Sequence, residues 1–172
     1  MDKQQLFQQI GQEARRRVTD EFFGTLKQGA NTQQSERISI TFIADILREL
    51  ELNFQRAGSQ QSKDFRNIGD IGLDVEVKIC KSTTVIFNDT CPNSNIYYII
   101  FFLGNRTTRP QVLTLNGNEF IADSPWIQQY QAAIEDLKNR FCRGDNARNL
   151  PGSMKVYTRP NYSANISSFL QT

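Results

Sequence analysis

The chain of 172 residues is predicted to have an α/β fold, with a mixed central sheet of about five strands flanked by helices from both ends of the chain. Three patterns predict this fold. Apolar residues recur at helical spacing over 2–27 and again over 35–50. Residues 73–80 alternate strictly between apolar and polar, as in a strand with one buried face. Residues 96–103, IYYIIFFL, are continuously apolar, which is typical of a central strand covered on both faces.

The N-terminal part is predicted to be helical. The apolar face of the first helix is Leu6, Ile10, Ala14, Val18, Phe22 and Leu26. The run Gly29-Ala30-Asn31 interrupts this pattern, and the second helix then buries Ile38, Phe42, Ile46 and Leu50. Glu36, Asp45 and Glu49 also lie on the second helix, and the sequence alone does not select any of them for a functional role.

A short strand is predicted at 52–57, followed by a hairpin made of 64–68 and 73–80. The run Gly69-Asp70-Ile71-Gly72 between them has the composition of a tight turn. A hairpin centred near Asp70 places Asp64 opposite the neighbourhood of Glu76 and Lys78. Opposed residues on one face have β-carbons about 5 Å apart, so Asp64 and Glu76 could share one metal ion.

The second half is predicted to contain further strands and one helix. These are a strand at 85–90, a hairpin of 112–115 and 119–121 around Asn116-Gly117, a helix opened by Ser124-Pro125, and a last strand at 154–158. The apolar stripe of that helix is assigned to the core or to a dimer interface; it comprises Trp126 or Ile127, Tyr130, Ile134, Leu137 and Phe141. No repeat or domain boundary is evident, so residues 1–172 are predicted to form one domain.

Composition excludes several kinds of site. The chain has no histidine, which removes His-ligated zinc sites and catalytic triads that depend on imidazole. Its three cysteines, Cys80, Cys91 and Cys142, are odd in number and widely spaced; they fit neither a disulfide framework nor a zinc pattern and indicate a reducing cytoplasm. Residues 1–30 contain no apolar core segment, so no signal peptide is expected. The net charge of +2 neither identifies nor excludes a nucleic-acid-binding protein.

The polar face of the 73–80 strand carries the candidate chemistry, with Asp74, Glu76 and Lys78 in a row. A carboxylate two residues before a lysine suits a divalent-metal nuclease. The carboxylate is an oxygen ligand for a hard cation, and the lysine places a positive charge near the attacking water and the phosphate.

Asp64, eleven intervening residues and then Glu76-Val77-Lys78 resemble the PD-(D/E)xK nuclease motif of type II restriction endonucleases. The resemblance covers about 25 residues. It implies a magnesium ion bound by Asp64 and Glu76, a water positioned or activated by Lys78, double-stranded DNA as substrate, and a homodimer. The chain departs from the family pattern at Lys63, where a proline is common, and lacks a helical pattern between 82 and 95.

Several polar residues around this motif are candidates for contacting DNA: Ser59, Gln60, Gln61, Lys81, Ser82, Arg106 and Arg109. Asp70 and Asp74 compete with Asp64 for the first position of the motif; the turn disfavours Asp70, and Asp74 lies on the same strand as Glu76, on the side away from Lys78. Two alternative functions remain open. One is a structure-selective nuclease resembling a Holliday-junction resolvase, and the other is a non-catalytic DNA-binding module.

Overall fold

The computed structural model describes residues 1–29, 31–57, 63–88, 91–121, 124–143 and 161–171. The helices are α1 (Lys3–Arg17), α2 (Asp20–Gln28), α3 (Thr32–Glu49), α4 (Gly117–Ile121) and α5 (Pro125–Lys138), followed by a π-helical turn (Asn139–Arg143). The strands are β1 (Gln55–Arg56), β2 (Phe65–Ile68), β3 (Leu73–Cys80), β4 (Thr84–Asn88), β5 (Ile96–Phe102), β6 (Gln111–Asn116) and β7 (Asn161–Asn165), and a 3₁₀ turn (Ser167–Phe169) follows β7.

Five of these strands form one mixed sheet in the order β1-β2-β3-β5-β6. β3 and β5 run parallel, and the other neighbouring pairs are antiparallel. β5 is hydrogen-bonded on both sides and buried on both faces, as its apolar sequence predicts. The predicted α/β class with a five-stranded mixed sheet is therefore confirmed.

The two faces of the sheet belong to two separate hydrophobic cores. Because side chains alternate along a strand, β3 contributes to both cores. Leu73, Val75 and Val77 pack against α1, α2 and α3, and Cys80 joins the opposite core. This second core is closed by β4 and β7, which form a separate two-stranded antiparallel ribbon, and by Phe120 of α4. The polar face of β3 is thus largely enclosed, although its alternation alone is compatible with an open surface.

The single helix predicted over residues 2–27 is wrong, because the chain leaves the helix at Val18 and starts a new one. Val18 has an extended backbone, and the Thr19 hydroxyl accepts a hydrogen bond from the Phe22 N–H at 3.1 Å, which caps α2. Apolar residues continue at helical spacing through this break, so their periodicity does not reveal it. α3 begins at Thr32, three residues earlier than predicted, and Asn31 caps it.

The hairpin predicted around Asn116-Gly117 is also wrong. Residues Gln111–Asn116 form one strand, paired with β5, and α4 begins at Gly117. A β-carbon on Gly117 would lie 1.8 Å from the Asn93 carbonyl oxygen, so the glycine permits a close approach of two backbone segments. The side chain of Glu119 accepts a hydrogen bond from the Asn116 N–H at 2.6 Å, which holds the chain at the start of α4.

The strand predicted at 52–57 is confined to Gln55–Arg56, and the one predicted at 154–158 lies outside the described residues. On α5 only Ile127 is buried, while Trp126 and Leu137 are exposed, as is Phe141 on the π-helical turn; a core assignment is therefore wrong for most of that stripe. None of the described helices is long and apolar enough to cross a membrane.

Candidate active site

The β2–β3 hairpin positions the candidate catalytic residues, and its predicted register is confirmed. Phe65 pairs with Val75, and Ile68 pairs with Leu73, with an irregularity between the two pairs. Asn67 on β2 and Asp70 in the turn both adopt positive φ, which asparagine and aspartate tolerate better than most residues. Asp70 accepts a hydrogen bond from the Asn53 side-chain amide at 2.7 Å. Asp70 therefore serves the turn, as its position between two glycines predicts.

Asp64 reaches across the hairpin to β3. Its N–H donates to the Val75 carbonyl at 3.0 Å, and its Oδ2 accepts from the Val77 N–H at 2.7 Å. Val77 lies between Glu76 and Lys78 in the chain, so the Asp64 carboxylate is held beside both of them. This is the arrangement that the hairpin register predicts.

Glu76 and Lys78 form an enclosed ion pair on the polar face of β3. The distance between Lys78 Nζ and Glu76 Oε1 is 2.5 Å, and the two side chains are only 18% and 10% exposed, respectively. Lys78 Nζ also lies 5.4 Å from the centre of the Phe87 ring on β4. The other carboxylate oxygen of Glu76, Oε2, is buried without a hydrogen-bond partner among the described residues. A buried unpaired acceptor costs about 1–3 kcal/mol, and a bound cation would remove that cost.

Asp74 is occupied in a different way. Its side chain pairs with Lys63 and accepts a hydrogen bond from the Asn67 N–H at 3.0 Å. Burial raises the pKa of Asp74, but these two hydrogen bonds outweigh burial and the net pKa is lowered. The charged Asp74 side chain therefore links β3 to Lys63 and to Asn67 of β2.

The pKa values of Asp64 and Glu76 are raised, whereas that of Asp74 is lowered. Burial is the main cause that raises the pKa of each carboxyl group, and the positive charge of Lys78 opposes the rise. The negative charge of Glu36 on α3 raises both pKa values further. Two neighbouring carboxylates with raised pKa values are typical of functional sites, because burying them without a counter-ion is unfavourable.

Its effect on the pKa values of Asp64 and Glu76 distinguishes Glu36 from the other two acidic residues of α3. Asp45 pairs with Arg48 on its own helix, and Glu49 pairs with Arg17 of α1. Glu36 lines the cleft beside Lys78. The sequence could not make this choice, because it depends on which turn of α3 crosses the end of β3.

Asp64 and Glu76 could hold a magnesium ion only if other ligands completed its coordination. Within the described ranges no group of three or more acidic or cysteine side chains is arranged to hold a metal ion. Magnesium, however, commonly takes only one or two protein carboxylates and fills its remaining positions with water and substrate phosphate. Asp64 and Glu76 supply such a pair, and the unpaired Oε2 of Glu76 is an available oxygen ligand.

A cleft of about 630 Å³ opens beside Lys78, between the α2–α3 turn and the β3–β4 turn. Lys81 and Ser82, two of the predicted DNA contacts, line it. Arg106 and Arg109 are exposed on the loop after β5, at the same end of the sheet, because β5 runs parallel to β3. The remaining candidates, Ser59, Gln60 and Gln61, lie outside the described residues.

Comparisons with protein-family models, with curated proteins and with solved structures found no match to this chain. Its function is therefore inferred from the side chains of the site.

The raised pKa of Glu76 predicts how stability depends on pH. Because the folded state favours the protonated carboxyl group, the metal-free protein loses stability as pH rises from the ordinary value of 4.5 through the raised pKa. Glu76→Gln removes this loss, so its free energy of unfolding should increase relative to wild type between pH 4.5 and pH 8. Urea unfolding in EDTA across this range measures the difference. A difference that is constant or reversed over the range would contradict the assignment.

Proposed function

We propose that the protein is a magnesium-dependent endonuclease that hydrolyses phosphodiester bonds of double-stranded DNA at specific sequences, like a type II restriction enzyme. The main support is the convergence of Asp64, Glu76 and Lys78, with one buried oxygen of Glu76 left unpaired among the described residues. The three free cysteines suit a protein that acts in the reducing cytoplasm.

Each residue has a distinct role in this proposal. When bound, magnesium supplies a Lewis acid for the scissile phosphate and lowers the pKa of a water. Asp64 and Glu76 would hold the ion, and the Val77 N–H keeps the Asp64 carboxylate oriented toward β3. Lys78 would orient or deprotonate the attacking water and stabilise the negative charge that develops on the phosphate oxygens. The enclosure of Lys78 strengthens that interaction, because surrounding protein screens charge less than water does.

Incubation of the purified protein with phage-length DNA tests the proposal directly. Discrete fragments are expected with magnesium or manganese, because the candidate ligands are all oxygen atoms. Calcium is expected to support DNA binding without cleavage, and excess EDTA should stop the reaction. Full activity in excess EDTA would overturn the assignment of the site.

The same assay separates the two alternatives. Cleavage of a four-way junction but not of the matched linear duplex would indicate a structure-selective nuclease. Binding of DNA without cleavage in any divalent metal would indicate a non-catalytic module.

A homodimer follows from the proposed reaction, because the described part of the chain offers one candidate metal site and a duplex has two strands to cut. The exposed apolar stripe on α5 is a surface suited to a second copy. Leu137→Asp, in the middle of this stripe, is expected to convert a DNA-bound dimer to a monomer in sedimentation velocity. Gln131→Asp, also exposed on α5, is the matched control and should leave the dimer intact. A wild-type protein that stays monomeric on duplex DNA would contradict the dimer and indicate sequential nicking.

A further inference from the structure

The β4–β7 ribbon has one face in the core and one face toward solvent. Val85 and Phe87 on β4 and Ala164 on β7 are buried against the main sheet. The alternate positions form the outer face, in which Thr84 is paired across the strands with Asn165 and Ile86 with Ser163. We use the name outer face for these four residues.

The chemistry of the outer face is unusual for a surface that meets only water. None of its four residues is charged, and Ile86 is 49% exposed. The Thr84 and Ser163 hydroxyls make no side-chain hydrogen bond within the described parts of the chain. The Asn165 side-chain oxygen accepts from the Ser167 N–H and hydroxyl, which leaves the amide nitrogen as a donor. The face therefore offers two hydroxyls, an amide donor and one apolar side chain.

The outer face is continuous with the candidate active site. Thr84 and Ile86 line the same cleft as Lys78 and Lys81. Phe87, which follows Ile86 and lies on the inner side of the ribbon, contacts the Lys78 ammonium group. A nucleic acid whose phosphate reached Lys78 would therefore present its neighbouring bases to this ribbon.

We propose that the outer face of the β4–β7 ribbon enters the major groove of duplex DNA and reads base edges beside the cleavage position. The inference rests on the proposed function for its DNA substrate. The major groove is about 12 Å wide and admits a two-stranded ribbon, and the hydroxyl and amide groups of Ser, Thr and Asn bond to base edges there. Ile86 supplies an apolar contact of the kind that recognises a thymine methyl group. Lys81, which lines the cleft beside the ribbon, would contact backbone phosphate at the side of the groove.

A protein partner fits the outer face less well. Its exposed apolar surface is one isoleucine side chain, whereas stable protein–protein interfaces bury about 800 Å² on each partner. The absence of charge suits base edges, whose donors and acceptors are neutral, and the cations needed for the phosphates lie next to the ribbon in the cleft.

Selection from a random-sequence duplex library tests this inference by two readouts: bound sequences with calcium and cut sequences with magnesium. Ile86→Thr and Ser163→Ala are the ribbon variants. Ile71→Thr, 37% exposed on the β2–β3 turn, and Ser168→Ala, exposed after β7, are the matched controls. Each ribbon variant should reduce the preference at one or two base positions by about five- to 150-fold and leave the other positions unchanged. The controls should reproduce the wild-type motif.

An unchanged motif in both ribbon variants, or a loss of affinity that is equal for all sequences, would overturn the inference. Absence of any selected motif in the wild type would overturn it too. Cleavage with magnesium decides the proposed function separately. A protein that selects a motif with calcium and loses it in the ribbon variants, yet never cuts, supports the ribbon and refutes the nuclease. A protein that cuts DNA, but whose motif is unchanged in the ribbon variants, supports the nuclease and refutes the ribbon.

Discussion

Replacement of Asp64, Glu76 or Lys78 by alanine is expected to abolish DNA cleavage while each variant remains folded. Asp64 and Glu76 are the proposed metal ligands, and the positive charge of Lys78 acts on both of them. Loss of one charge-stabilising group in an enclosed site typically lowers the rate by about a hundred- to a thousandfold, and loss of a metal ligand adds to this. Single-turnover cleavage measures the rates, and circular dichroism confirms folding.

Asp70→Asn and Asp74→Asn are the matched controls, because both change a carboxylate within the same hairpin. Asp70→Asn should retain most activity, since Asp70 accepts its hydrogen bond from Asn53 in the turn. Asp74→Asn weakens the pair with Lys63 and should have a small or intermediate effect. Normal cleavage by Asp64→Ala combined with an inactive Asp70→Asn or Asp74→Asn would mean that the metal ligand is one of those two aspartates and not Asp64.

Phe101→Ala is expected to lower the free energy of unfolding by about 3–5 kcal/mol, the range for truncation of a buried phenylalanine. Phe101 is fully buried on β5, and its ring lies 5.7 Å from that of Phe22 and 5.9 Å from that of Phe42. These contacts join the central strand to α2 and α3. The cavity left by alanine would therefore open between the sheet and the helices.

Phe141→Ala removes the same side chain from an exposed position and should change the unfolding free energy of the monomer little. Urea unfolding of both variants, at a protein concentration where wild type is monomeric, gives the comparison. Equal losses in the two variants would contradict the packing described for β5.

Strand boundaries and hairpin register could be predicted wherever a period of two was maintained. β3 spans Leu73–Cys80 as predicted, because a shift of one residue would exchange its two faces. The break after Val18 could not be predicted from periodicity, since the apolar spacing continues across it. The role of Gly117 also depends on a distant segment, the backbone at Asn93, which no local pattern reports.

One part of the candidate site could be predicted from the sequence and another part could not. The approach of Asp64 to the segment around Glu76 and Lys78 is local to one hairpin and follows from its register. The proximity of Glu36 and the position of the ribbon depend on tertiary packing. Glu36 precedes Asp64 by 28 positions on a separate helix, so its selection required the arrangement of α3 against β3.

The partner of β4 is β7, near the other end of the chain, and this separation matters while the protein is being translated. All five strands of the main sheet lie before residue 117, so they can pair before Asn161 leaves the ribosome. The ribbon cannot, and Phe87 remains without its β7 support until then. Proteins are made at about 5–20 residues per second, so an interval of seconds separates the completed sheet from the completed ribbon. Phe87, whose ring lies 5.4 Å from the Lys78 ammonium group, therefore gains its β7 neighbour only after the main sheet has been synthesised.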